Sequence, residues 1–338
     1  MKTAIWRAVF GRRLRADCAF LLLALLSCGG AGVPPHVIVV YHDSWDEIAA
    51  AGPAATSIAA LPGYLGIVDL AFSRPDMHYD GDLDLSRTGL EYSYSGTVLR
   101  DSIALLKQRQ PRTRVLLSVG GAAYHTWRDL NEAAVARLVR DLGADGVDID
   151  FEPAHPDCAT GPDQAIHCRT DAFWQTLIRR FRTVLPRPAL LTAAVWSVGA
   201  YGEGQFQASR PRSRYTGFML SVLRSPAASQ LDLLSIDAYD AGPDYDPLEA
   251  FRAYRAVWHG PLALGLEVRR RGGSGPFFSP AQAETLARGV ARDNGGMMLY
   301  PLLAVPEGAK NPDAEDGRAL SMAMCRGLGL KGCDRPPP

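Results

Sequence analysis

Residues 145–153 read "DGVDIDFEP", four carboxylates within eight residues of an otherwise apolar run. A strand covered on both faces reads as continuous Val, Ile and Leu, and an unpaired buried charge is costly unless a pKa shift neutralises it. Asp148, Asp150 and Glu152 lie two residues apart, so on a strand they share one face, while Val147, Ile149 and Phe151 share the other. In a closed barrel the acids point inward, same-face neighbours stand roughly 6.6 Å apart, and Glu152 is nearest the mouth. Mutual repulsion and burial then raise at least one pKa, which lets a carboxyl stay protonated near neutral pH and serve as a general acid. Asp145 has the opposite parity and reads as structural.

Outward from this stretch, apolar runs bounded by turn residues recur at 36–42, 64–72, 114–121, 145–152, 189–196, 231–239, 261–268 and 295–303. Helix-period segments such as "DLNEAAVARLVRDLG", "DAFWQTLIRRFRTVL" and "SPAQAETLARGVARD" lie between them. Eight strand–helix units in one chain predict an α/β fold, a single (β/α)8 TIM barrel over residues 36–334, with the chemistry at the C-terminal ends of the strands.

The chain has 338 residues, 47% hydrophobic, with 36 basic residues balancing 36 acidic ones. No block of like charge offers a footprint for nucleic acid, and a monomer is expected. Basic residues precede a short apolar run, Cys18 to Leu26, in the pattern of an export signal over residues 1–28, followed by a short linker at 29–35. "LLSCGG" resembles a lipobox with Cys28 as the lipidated residue; simple cleavage nearby is the alternative, and "GRRLR" also suggests a twin-arginine signal. The protein is expected in the periplasm, at the cell surface as a lipoprotein, or secreted, with a lipid anchor as its one link to a membrane. An oxidising compartment suits the four remaining cysteines, which sit close in sequence and are expected to pair as Cys158–Cys168 and Cys325–Cys333. Their spacing does not suit a zinc knuckle. "DGDLDLSRTGLE" at 80–91 imitates a calcium loop but has Leu85 where glycine is required. No metal and no cofactor are expected.

Asp-Gly-x-Asp-x-Asp-x-Glu on the fourth strand of a barrel resembles the signature of glycoside hydrolase family 18, the chitinases and endo-β-N-acetylglucosaminidases. Further stretches agree in order: "LAFS" at 70–73, "SVGG" at 118–121, and Tyr239-Asp240, which is similar to the end of the family's Met-x-Tyr-Asp. The resemblance implies hydrolysis of β-1,4-linked N-acetylglucosamine polymers by a retaining, substrate-assisted route. It implies Glu152 as general acid, Asp150 as orienter of the substrate's acetamido group, Asp148 as the partner that tunes Asp150, and Tyr239 as a hydrogen-bond partner of the acetamido oxygen. Sugar contacts are expected from Tyr41, Trp45, Phe72, Ser118, Gly120, Trp196, Asp237, Asp240, Glu267 and Tyr300.

The chain departs from the family pattern in places. Tyr300 stands where a tryptophan is usual, Asp237 where methionine is usual, and strand 7 ends in Glu267; the extra carboxylates suit a partly deacetylated, cationic sugar or a basic neighbour such as Arg269. About 27 residues separate strands 7 and 8, too few for the family's α+β insertion, which predicts a shallow, endo-type groove. Trp45 and Trp196 sit at mouth positions, Trp174 and Trp258 read as core, and Trp127 is left open. Two other activities share these features: release of N-glycans from glycoproteins, and carbohydrate binding without catalysis, in which relatives typically lose the acid that Glu152 supplies.

Overall fold

The computed structural model describes residues 32–242, 244–269, 275–304 and 316–338. The expected export signal with Cys28, and the first residues of the linker, lie outside the described residues. In chain order the elements begin with β1 (Ile38–Asp43), α1 (Ser57–Ala60), β2 (Ile67–Ser73), α2 (Gly96–Arg109), β3 (Arg114–Gly120), α3 (Glu132–Leu142), β4 (Gly146–Asp150), β5 (Cys158–Thr160), β6 (Ile166–Cys168) and α4 (Asp171–Val184). They continue with β7 (Leu190–Trp196), α5 (Leu220–Arg224), β8 (Leu233–Asp237), α6 (Pro247–Val257), β9 (Leu262–Glu267), α7 (Pro280–Ala291), β10 (Gly296–Tyr300) and α8 (Gly317–Gly327).

Eight parallel strands close into a barrel in the order β1-β10-β9-β8-β7-β4-β3-β2. The expected strand–helix alternation is therefore realised, and between Glu267 at the end of β9 and Pro280 at the start of α7 the described residues form no inserted α+β unit. Local signals set the helices. Asn131 caps α3 by accepting from Ala134 N–H, and Gly143 ends it in a left-handed conformation at φ 68°. Ser279 and Gln282 form a reciprocal capping box at α7, with Pro280 in its first turn.

The barrel has two apolar compartments. Outward residues of the strands, such as Val147 and Ile149, pack against the helices, whereas Val39, Ile67, Leu116, Leu233 and Met298 fill the barrel interior. Above that interior plug the inward positions become polar. Trp174 and Trp258 are buried as expected, and Trp127, buried as well, stands edge-on to Phe151 at 5.4 Å.

Two details differ from the sequence-based expectation. β4 ends at Asp150, so Phe151 and Glu152 already belong to the segment leaving the barrel. The two cysteines 158 and 168 lie opposite each other in a small antiparallel hairpin, β5–β6, a pair of three-residue strands too short to show a period. Both expected disulfides are present, Cys158–Cys168 with S–S 2.02 Å and Cys325–Cys333 with S–S 1.99 Å.

Candidate active site at the barrel mouth

The site begins with register. In β4, Asp148 lies beside Ser118 of β3 and Thr192 of β7, and Asp150 lies beside Gly120. Gly120 adopts φ +110°, and a Cβ there would stand 2.1 Å from the Asp150 carbonyl oxygen, so a side chain would push β3 and β4 apart at the mouth.

Asp148 is fully buried and saturated with donors. Its Oδ2 accepts from the Tyr41 hydroxyl at 2.9 Å and the Ser118 hydroxyl at 2.9 Å, and its Oδ1 accepts from the Thr192 hydroxyl at 2.7 Å. Burial pushes its pKa up while these three bonds oppose the shift. Asp69 of β2 is also buried, and neither of its carboxylate oxygens has a hydrogen-bond partner among the described residues. Desolvation, followed by the charge of Asp148, drives Asp69 well above the ordinary carboxylate range. The donors thus ease ionisation of Asp148, whereas Asp69, with none, is driven toward its protonated form.

Above this layer a cavity opens, lined by Asp150, Glu152, Asp237, Asp240 and Ala122 between aromatic walls of Tyr41, Phe72, Trp196, Tyr239 and Tyr300. Asp150 is raised well above its ordinary value by desolvation, then by the charges of Glu152, Asp237, Asp148 and Asp69. Asp148 therefore acts on Asp150 through its charge. Glu152, half-buried, is pushed up to about 7 by burial and the neighbouring Asp240. Asp237 is raised by burial and the charge of Glu152, and its Oδ1 accepts the Tyr239 hydroxyl at 3.0 Å. The cavity thus offers a carboxyl that keeps its proton close to neutral pH beside a second, deeper carboxyl that burial and neighbouring charges also hold toward its protonated form.

The aromatic walls hold one another. Tyr41 meets Tyr300 edge-on at 5.9 Å, and Tyr239 stacks on Tyr300 with ring centroids 6.0 Å apart and planes 20° apart. Trp196 is backed by Tyr215 at 3.7 Å and 7°, and the Tyr215 hydroxyl donates to the Pro153 carbonyl at 3.0 Å, tying the segment after Glu152 to this wall.

Most residues expected at the site from sequence line this cavity, with five exceptions, the first of them Asp148, which lies buried beneath it. Ser118 is fully buried beneath the cavity and bonds Asp148, and Gly120 serves close strand packing; neither lines the cavity. The polar hydroxyl and the glycine are used up by cross-strand contacts that a linear pattern does not disclose. Glu267 is buried at the end of β9 outside the lining. Trp45 stands on the rim, 41% exposed, stacked on Phe72 with centroids 6.0 Å apart. Sequence reasoning missed Asp69, Thr192, Tyr215 and Ala122. Of these, Asp69 alone carried a signal, a charge inside the apolar run "IVDLAF".

Among the described residues no group of three or more His, Cys, Asp or Glu is placed to hold a metal ion. Asp145 lies on the outside at 2.6 Å from Lys107 and 3.4 Å from Arg114, in keeping with its parity.

No protein-family model matches the chain. Over 232 residues, 64% of the chain, it is 27% identical to Exochitinase 1 of Streptomyces olivaceoviridis, covering 37% of that protein. Over 129 residues, 35% of the chain, it is 36% identical to a chitinase of Plasmodium falciparum, covering 32% of it. The matched regions span about a third of the length of these curated relatives. Among solved structures, a GH18 chitinase from Pseudoalteromonas aurantia superposes with TM-score 0.58 and 20% identity, covering 86% of this chain and 100% of its own, a likeness of fold. The curated likenesses, the shared barrel and the acidic strand at its mouth together make this chain chitinase-like and similar to the proteins of glycoside hydrolase family 18.

Proposed function

We propose that the protein hydrolyses β-1,4-linked N-acetylglucosamine polymers with retention, Glu152 acting as general acid and the substrate's own acetamido group as nucleophile. The observation that carries this reading is the placement of Glu152, its pKa pushed up to about 7, in the same cavity as the deeper Asp150. Glu152 gives its proton to the glycosidic oxygen as the C1–O bond breaks, and the acetamido carbonyl oxygen closes on C1 to form an oxazolinium ion. Glu152, now a carboxylate, takes a proton from water as the water opens that ring. Asp150 orients the acetamido group, Asp148 supports Asp150 electrostatically, and Tyr239 bonds the acetamido oxygen. Tyr41, Phe72, Trp196, Asp240 and Tyr300 shape the sugar pocket, and Trp45 extends it at the rim.

Retention of Glu152 favours catalysis over binding alone, and the open mouth without an inserted subdomain favours endo-type cleavage. Residues 1–28 act as an export signal, with lipidation at Cys28, and deliver a monomeric barrel to a compartment suited to its two disulfides. Proton NMR of the first turnovers of N-acetylchitotetraose tests the mechanism: the initial product is the β-anomer, and an unsubstituted glucan of equal length is not cleaved. An α-anomeric first product, or equal cleavage of the glucan, would overturn it.

A further inference from the structure

We infer that Asp237 is a positioning residue that decides whether Tyr239 can offer its hydroxyl proton to the substrate's acetamido oxygen, an inference that rests on the proposed function above. A phenol has a single O–H to donate. Here that proton is committed to Asp237 Oδ1 at 3.0 Å. A carbonyl oxygen arriving from the substrate can receive it only if Asp237 releases it. The Tyr239 ring is stacked on Tyr300 and lines the cavity, which leaves the O–H torsion and the protonation of Asp237 as the free variables.

The surroundings of Asp237 make that protonation a usable variable. From β4 and the segment after it come Asp148, Asp150 and Glu152, from β1 Tyr41, and from its own segment Tyr239 and Asp240. Tyr245 and Tyr254 of α6 and its approach feel its charge, and Glu267 ends the neighbouring β9. No Lys or Arg lines the cavity among the described residues. Burial and the charge of Glu152 therefore favour the neutral acid, and burial with the charge of Asp237 likewise keeps the Tyr239 phenol protonated. An ionised Asp237 holds the phenol proton in a charge-assisted bond, about twice as strong as a neutral one. A protonated Asp237 can instead donate to the phenol oxygen and turn the phenol O–H toward the substrate. Acetamido binding is thus coupled to one proton on Asp237, tight below its titration and weaker above it.

The test is the inhibition constant of N-acetylglucosamine thiazoline, measured across acidic to alkaline pH for the wild type, Asp237→Asn, Asp237→Leu, Tyr239→Phe and the double variant Asp237→Asn/Tyr239→Phe. One linked proton gives the wild type a loss of affinity approaching about tenfold per pH unit above the titration of Asp237. Both Asp237 variants should show a profile shallower by that one proton. In the Tyr239→Phe background, Asp237→Asn should change nothing further, because Asp237 acts through the phenol. An unchanged slope in both Asp237 variants, or a full Asp237→Asn effect without the phenol, would overturn the inference while leaving the proposed function standing. Absence of thiazoline binding by the wild type at every pH would overturn the functional reading and the inference with it.

Discussion

The two faces of β4 are built from one stretch of chain and live in opposite environments. Val147 and Ile149 are fully buried against the helices, and Phe151 just beyond them packs among Trp127, Phe173, Trp174 and Phe218. Asp148 and Asp150, one residue out of phase, are buried too, yet they are carboxyl groups, Asp150 lining the mouth cavity and Asp148 lying beneath it. The outward face draws its stability from dispersion and water exclusion, and any apolar group of the right volume serves it. The inward face is stabilised only group by group, Asp148 by three hydroxyl donors and Asp150 by keeping its proton. A strand can therefore be rigid and reactive at once, provided that each property keeps to its own parity.

The contrast can be broken most sharply at Glu152. Replacing it with Gln should leave the circular dichroism spectrum unchanged while steady-state turnover of N-acetylchitotetraose falls by about 10²–10⁴-fold, the usual contribution of general acid catalysis. The same variant sharpens the electrostatic half of the comparison. The Glu152 carboxyl has an ordinary value of 4.5 and is raised to about 7 in the fold, so its protonated form stabilises the folded state at low pH. That contribution is lost as pH rises from 4.5 through about 7. Thermal melts should accordingly find Glu152→Gln more stable than the wild type above neutral pH, and no better below the ordinary carboxylate range.

On the other face, Ile149→Ala should cost about 2–5 kcal/mol in urea unfolding through a cavity among the helices. The folded fraction should keep the kcat and pH profile of the wild type, and a kcat loss as large as that of Glu152→Gln would show that the two faces are not separable. A smaller effect is expected at Asp240, whose charge helps hold the Glu152 proton. In Asp240→Asn the alkaline limb of kcat/KM, which falls as Glu152 ionises near about 7, should move to lower pH by less than about one unit. Smallest of all is Asp145→Ala on the outside of the barrel. Its ion pairs with Lys107 and Arg114 are partly exposed, so the loss in denaturant unfolding should be about 1 kcal/mol or less, with no change in activity.

These contrasts also mark where sequence reasoning ran out. The eight strands were legible because each is an apolar run bounded by turn residues, and the facing of Asp148 and Asp150 followed from parity alone. The disulfides were legible because cysteines ten and eight residues apart have few other partners in reach. Ser118 was taken for a sugar contact, because a serine before two glycines looks available until Asp148 is seen to claim its hydroxyl from the adjacent strand. Thr192, Tyr215 and Ala122 carried no local signal at all. Thr192 matters only because β7 sets it beside Asp148, and Tyr215 only because its ring lies flat on Trp196.

By itself the sequence determined the alternation of elements, the face on which the acids lie and the residues that can hold a proton, because periodicity and side-chain chemistry are properties of a single segment. Tertiary structure decided which of those acids keeps the proton, since that depends on donors brought in from β1, β3 and β7 to Asp148 and withheld from Asp69. It also decided that Asp237 holds the hydroxyl of Tyr239 inside the cavity. Protonation is a free-energy balance over everything within a few ångströms, and strand register, which a linear chain does not display, sets what those neighbours are.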